Sequence, residues 1–164
     1  MFCQQNYLVY FLFTLSAKSI VMTDVHTKEI RSYNMSRIRS KNTKPEITLR
    51  KGLFSYKIRF RLHDKKLPGK PDIVLKKYNT VIFVHGCFWH GHTNCRFFVI
   101  PKTKTDWWIN KINQTKLLEI RHEDDLKKLG WKVITVYECE LKKDKLEKTI
   151  QGIINKLETN NTSN

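Results

Sequence analysis

Residues 81–95, "VIFVHGCFWHGHTNC", carry three histidines, two cysteines and a Phe-Trp pair within eleven positions, at the end of an apolar run. Zinc favours four thiolate or imidazole ligands in a closed tetrahedral structural site. Cys87 and His92 are separated by four residues and His92 and Cys95 by two, so three such ligands are local. Cys139, at the end of the last predicted strand, supplies a fourth if that strand pairs near the one ending at His85. The metal would then tie a loop to a distant strand. Two other readings stay open. The cysteines can be small buried hydrophobes beside an incidental histidine. Alternatively, His85, His90 and His92 form a catalytic zinc triad with an open position, which leaves Cys87, Cys95 and Cys139 without an explanation. Cys3 fits none of these groups.

In the first reading His85 and His90 are spare imidazoles, suited to general-base work because histidine titrates near neutrality. Asp72 in "PGKPDIV" follows a proline at the first position of a strand, so it projects from the sheet end, where a hard cation such as magnesium binds oxygen ligands. Phosphodiester hydrolysis uses such an ion to stabilise developing phosphate charge and to activate water. Pro-Asp is also an ordinary strand-start turn. Its position one hairpin away from His85 and His90 favours the chemical role. Phe88 and Trp89 lie in a loop too polar to bury them both. Aromatic wedges that unstack a base step cost a few kcal/mol, least at a mismatch, which converts the cost into selectivity.

The elements that must hold these groups follow from the pattern. "TKPEITLRKGLFSYK" opens a helix, with Thr43 as N-cap, Pro45 in the first turn and Glu46 completing a capping box, although Gly52 weakens it. "IRFRL" alternates as a half-buried strand and "LPGKPD" is a turn. "DIVLKKY" and "TVIFVH" form a hairpin across a Tyr-Asn turn, the second strand buried on both faces. A helix over about 104–129 presents Trp108, Ile112, Leu117, Leu118, Leu126 and Leu129 and ends at Gly130. "WKVITVYE" is a strand and "LKKDKLEKTIQGIINKLE" an amphipathic helix, leaving "TNNTSN" as a disordered tail. Residues 22–42 read as a basic, polar arm. This order predicts an α/β domain around a mixed sheet.

The 164 residues suffice for one domain with a core, and 40% hydrophobic composition makes it globular. The formal net charge is +16. Between Met22 and Lys70 there are 14 Lys and Arg against 4 Asp and Glu. That excess points to a polyanion, since each cation that neutralises a phosphate releases counterions. Residues 1–21 stand apart. Their apolar core and "SAKS" patch resemble a signal peptide, but they lack a basic n-region and are too short to span a bilayer. The expectation is a start at Met22, or an extension that is unstructured or cleaved, followed by one domain over 22–158 and a tail at 159–164.

"LPGKPDIVL", "VIFVHGCFWHGHTNC", "TDWWINKI" and "LGWKVITVYECEL", in that order, resemble the very-short-patch repair (Vsr) mismatch endonucleases, and "MTDVHTKEIRSYNMSRIRSKNTKPE" resembles that family's opening. The similarity covers about residues 22–145, and "HGCFWH" is its most specific part. The resemblance implies a restriction-endonuclease-like fold, an α/β mixed sheet flanked by helices with a structural zinc site. It implies Asp72 as the magnesium ligand, assisted by the Val84 backbone carbonyl, with His90 as general base and His85 at the scissile phosphate or leaving group. Glu46 and Glu119 match acidic positions that support the metal waters and His90. Cys87, His92, Cys95 and Cys139 match the zinc set. Intercalation falls to Phe88, Trp89 and Trp108, although Trp108 and Ile112 also have helical core spacing.

The sequence departs from familiar patterns at two places. "VHG" stands where the wider fold family continues with an acidic residue and a lysine, so the second carboxylate is replaced by a backbone carbonyl. Position 119 is Glu where Asp is familiar, a longer arm with the same charge. Glu46 also has a structural role as the capping-box residue.

The implied activity is magnesium-dependent, strand-specific nicking 5′ of the thymine in T·G mismatches left by deamination of 5-methylcytosine, in a context such as CT(A/T)GG. The implied partner is mismatched double-stranded DNA, with mismatch-repair proteins as further partners. A monomer in the cytoplasm, associated with the nucleoid and not with a membrane, is expected. The rival readings are a dimeric restriction endonuclease, a non-catalytic zinc DNA-binding module and, more remotely, a secreted cationic toxin.

Overall fold

The computed structural model describes residues 27–159. The N-terminal signal-like segment, the Met22 start and the end of the tail lie outside the described residues. Within them, "KEIRSYNMS" of the polar arm forms helix α1 (Lys28–Ser36), its end capped by the Thr27 hydroxyl, which accepts the Ile30 N–H at 3.4 Å. The arm's low apolar content hid this helix, whose Ile30, Tyr33 and Met35 remain exposed.

Helix α2 (Lys44–Ser55) starts where the capping box predicts, with Thr43 and Glu46 bonded reciprocally. Gly52 does not break it. A Cβ there would sit 2.5 Å from Ile150 Cδ1, so the missing side chain lets α2 approach helix α4 (Leu146–Thr159) closely. The strand expected over 58–62 is shorter. Ile58 is used in the turn off α2, its N–H bonded to the Leu53 carbonyl, and only β1 (Arg61–Leu62) pairs.

Strands β2 (Ile73–Leu75) and β3 (Thr80–His85) pair as the predicted hairpin, but β2 stops at Leu75: Lys76–Tyr78, expected as strand, form a 3₁₀ turn closed by Asn79, left-handed at φ 45°. Helix α3 (Thr105–Lys128) then crosses to β4 (Lys132–Tyr137), which lies parallel to β3. The sheet order is β1-β2-β3-β4, antiparallel except for that last pair. It is a mixed sheet flanked by helices, as expected.

Alternation divides the core in two. Ile73, Leu75, Ile82 and Val136 face α2 and α4, meeting Leu49, Leu53, Ile150, Ile153 and Leu157. Val74 and Val81 face the other way, onto Leu126 of α3. The end of α3 follows the Schellman pattern: Gly130 at φ 80° donates to the Lys127 carbonyl and Trp131 to that of Leu126. Leu126 and Ile112 are buried as predicted, but Leu117, Leu118 and Leu129 are exposed, because α3 leans on the sheet along a narrow stripe only. The last helix begins at Leu146 and not at Leu141. Leu141 is the buried end of a 3₁₀ turn (Glu138–Leu141), after which Lys142 turns extended. Thr159, assigned to the tail, is the last helical residue. None of the helices among the described residues is long and apolar enough to cross a membrane.

Candidate active site and metal centre

Strand register explains how residues far apart in sequence meet. In the parallel pair, His85 is opposite Tyr137. Two residues further along each chain stand Cys87 and Cys139, the latter in the 3₁₀ turn just past β4. The loop after β3 folds back through Gly86 and Cys87 carbonyls, which accept from His90 and His92 N–H. That return brings His92 Nδ1 to 3.5 Å from Cys87 Sγ and 3.4 Å from Cys139 Sγ. Tetrahedral ligands at ordinary zinc–sulfur and zinc–nitrogen lengths are separated by roughly 3.5 Å. The donor atoms of Cys87, His92, Cys95 and Cys139 all lie within 4.8 Å of one another.

None of these three thiols is in a disulfide. Burial pushes the Cys87 thiol up to about 12 and raises that of Cys139. For Cys95, burial is outweighed by the Phe97 N–H and the neighbouring thiols, which lower it. A bound cation would supply the missing compensation for the thiolates. The ring of Tyr137 stacks on His92 at 3.8 Å and 4° and fixes its plane.

The other two clusters open into one cleft of about 1490 Å³, lined by Glu46, His63, Asp72, His85, His90 and Glu119 among others. Lys44, Lys51, Lys65 and Lys70 also border it, an arrangement suited to an anionic ligand.

On one side, His90 Nδ1 meets Glu119 Oε1 at 2.5 Å. His85 stacks on His90, ring centres 3.7 Å apart and planes 9° from parallel. A metal bound to imidazole lies in the ring plane, so two stacked rings do not aim their lone pairs at one ion. This group is a histidine pair served by one carboxylate, and His92 belongs to the thiols. His85 Nδ1 is buried without a hydrogen-bond partner and stands 3.9 Å from Glu119 Oε2. Burial, then the neighbouring His90, hold His85 down to about 4 against the pull of Glu119, so it is uncharged at neutral pH.

On the other side, Asp72 Oδ2 accepts the Val84 N–H at 2.8 Å, from the neighbouring strand of the hairpin. Burial raises the Asp72 pKa above its ordinary value; the Val84 N–H opposes this and the nearby Glu46 charge adds to it. A carboxylate so placed suits a divalent cation, whose charge would favour its ionised form. Glu46 is more than a cap. Its Oε2 accepts from Asn42 N–H at 3.1 Å and Arg50 Nη2 at 2.5 Å, while Oε1 accepts from the Thr43 hydroxyl at 2.9 Å.

The aromatics form one edge-to-face cluster. Phe88 lies 5.2 Å from Trp89 and 5.1 Å from Trp108, ring centre to ring centre. Trp108 is half-buried here, so its helical spacing with Ile112 does not commit it to the core. Trp107, which the sequence did not single out, extends the cluster at 4.7 Å from Trp108 and is 55% exposed. The other groups missed in the sequence are Arg50 and His63. His63 is opposite Asp72 once the Leu62↔Ile73 register is continued by one residue.

Comparison with known proteins gives a consistent result. The family model "DNA mismatch endonuclease Vsr" matches residues 23–96. The chain is 53% identical over 121 residues to the type II nicking enzyme V.NmeAIP of Neisseria meningitidis, covering 74% of this chain and 86% of that one. It is 49% identical over 120 residues to the type II nicking enzyme V.XorIIP of Xanthomonas oryzae, covering 73% and 88%. It is 43% identical over 121 residues to the DNA mismatch endonuclease Vsr of Escherichia coli, covering 74% and 77%.

Proposed function

The chain belongs to the Vsr family of DNA mismatch endonucleases, and from this we propose that it is a magnesium-dependent DNA nicking enzyme that cuts 5′ of the thymine in a T·G mismatch. The observation that carries the reading is the shared cleft. Asp72 and the His90–Glu119 pair enter it from different elements, beside an aromatic cluster suited to opening a base step.

Asp72 and the backbone carbonyl of Val84 would hold Mg2+, with phosphate oxygens completing the ligand set. The ion would stabilise negative charge on the scissile phosphate. Glu119 accepts the Nδ1 proton of His90, which leaves Nε2 free to take a proton from water as the oxygen attacks phosphorus. The P–O bond to the 3′ oxygen breaks and that oxygen takes a proton from solvent water, giving a 5′ phosphate and a 3′ hydroxyl. His85, uncharged, would hydrogen-bond the scissile phosphate or the leaving oxygen. Glu46, fixed by Asn42, Thr43 and Arg50, would hold water around the ion.

Phe88, Trp89 and Trp108 would enter the base stack at the mismatch, where unstacking costs least. Cys87, His92, Cys95 and Cys139 would hold structural zinc that braces this loop against the β4 end. The aromatic wedge and the histidine pair then share one support.

Asp72→Ala tests the assignment. The expected result is loss of nicking, by about 10²-fold or more, with mismatched-duplex binding retained. Unchanged nicking would remove Asp72 from the mechanism and favour a different cation site. Retained binding in a parent protein that never cuts would favour the non-catalytic binding module.

A further inference from the structure

His63 stands between the two carboxylates of the proposed cation site, and its surroundings determine which nitrogen carries the proton. Arg50 Nη2 lies 3.0 Å from His63 Nε2. A guanidinium only donates, so Nε2 must accept. The ring proton therefore sits on Nδ1, the nitrogen that faces Asp72 Oδ1 at 3.8 Å. Arg50 is itself held, by Asn42 Oδ1 at 2.7 Å and Glu46 Oε2 at 2.5 Å. One chain of contacts thus runs from the α2 cap through Arg50 and His63 to Asp72.

The backbone supplies an independent observation. His63 has φ 48°, the left-handed region that costs a residue with a Cβ about 1 kcal/mol or more. Here the imidazole, only 18% exposed, has Arg50 Nη2 at 3.0 Å and Glu46 Oε2 at 3.6 Å beside Nε2, and Asp72 Oδ1 at 3.8 Å from Nδ1. Strain of this kind persists where the surroundings over-determine a position.

We propose that His63, with its tautomer locked by Arg50, is a positioning residue for Asp72. It aims an N–H dipole at Oδ1 while the Val84 N–H holds Oδ2, so the carboxylate is presented to the cation in one orientation. The inference rests on the assignment of Asp72 as cation ligand under Proposed function. It differs from direct ligation by His63, because the nitrogen facing Asp72 bears hydrogen while Arg50 occupies the other. Partners of this kind behind a metal ligand are commonly worth 10–100-fold in metal affinity.

The test is Mn2+ binding to the full, zinc-loaded chain, followed by electron paramagnetic resonance, with nicking kcat and the Mg2+ half-saturation measured in parallel. His63→Gly removes the ring and suits the left-handed backbone, so it does not burden folding; melting curves verify this. It should weaken Mn2+ binding roughly 10-fold or more and raise the Mg2+ half-saturation. His63→Gln, whose amide keeps a donor and an acceptor, should restore most of the affinity. Parent-like binding by His63→Gly, or equal loss in both variants, overturns the proposal. Nitrogen hyperfine coupling to Mn2+ that vanishes in His63→Gly overturns it in favour of direct ligation. If Asp72→Ala binds Mn2+ as tightly as the parent, the assignment of Asp72 itself fails and this inference falls with it.

Discussion

The Nδ1 of His90 lies 2.5 Å from a carboxylate oxygen of Glu119, joining the loop after β3 to the middle of α3. The longer glutamate arm therefore reaches the imidazole at hydrogen-bond length. A carboxylate there fixes the tautomer and supports the imidazolium that forms when a proton is taken. Glu119→Gln keeps the size but not the charge. It should lower kcat for nicking by roughly 10²-fold and leave affinity for the mismatched duplex near that of the parent. Single-turnover rates and a binding titration check the two halves. Equal loss in both would assign Glu119 to binding.

Removal of the proposed structural cation should affect folding before chemistry. One zinc per chain is expected by native mass spectrometry. Cys139→Ser, which takes away the ligand just past β4, should lose the zinc and destabilise the chain by about 3 kcal/mol or more. Chelation of the parent should give a matching fall in melting temperature. A variant that melts like the parent and retains a full equivalent of zinc would exclude Cys139 from the set.

The aromatic cluster predicts selectivity more than affinity for DNA at large. Base–aromatic stacking is worth about 1–3 kcal/mol per base, so Trp89→Ala should weaken mismatched-duplex binding by roughly 5–150-fold. Binding to the paired duplex, dominated by phosphate contacts, should change little. Trp107→Ala should lose less, since Trp107 contributes through Trp108. Competition between the two duplexes measures the ratio directly.

His85 sets an acid limit on stability. Burial and His90 bring it down to about 4, whereas an unfolded chain titrates near 6.5. Between these values the unfolded state binds more protons, so stability is lost as pH falls from 6.5 towards 4 and the loss stops growing below. The full effect is up to about 3 kcal/mol, with about 1 kcal/mol gone by pH 5.5. His85→Asn should show a correspondingly flatter dependence of urea midpoint on pH, at the same zinc content.

Much of this arrangement was legible because its signals are local. The capping box at Thr43 and Glu46, the apolar runs of β2 and β3 and the Gly130 stop each depend on a few neighbouring residues. The Cys/His spacing marked the loop, and the parallel register of His85 with Tyr137 then delivered Cys139 to it. His63 and Arg50 were not legible. Their importance comes from a register extended past the end of β1 and from a guanidinium reaching across from α2, neither of which leaves a pattern in the chain. The exposed Leu117 and Leu118 misled for the converse reason. Helical spacing gives a face, but only the part of that face carrying Ile112 and Leu126 is covered, which spacing alone does not reveal.

A single cut at a mismatch is tested most directly by one assay. Two end-labelled duplexes are compared, one with a T·G mismatch in CT(A/T)GG and one fully paired, each with magnesium and with EDTA. A magnesium-dependent nick 5′ to the mispaired thymine, confined to that strand and that duplex, is the result predicted. Cutting of both strands in the paired duplex, or cutting that persists in EDTA, would contradict it.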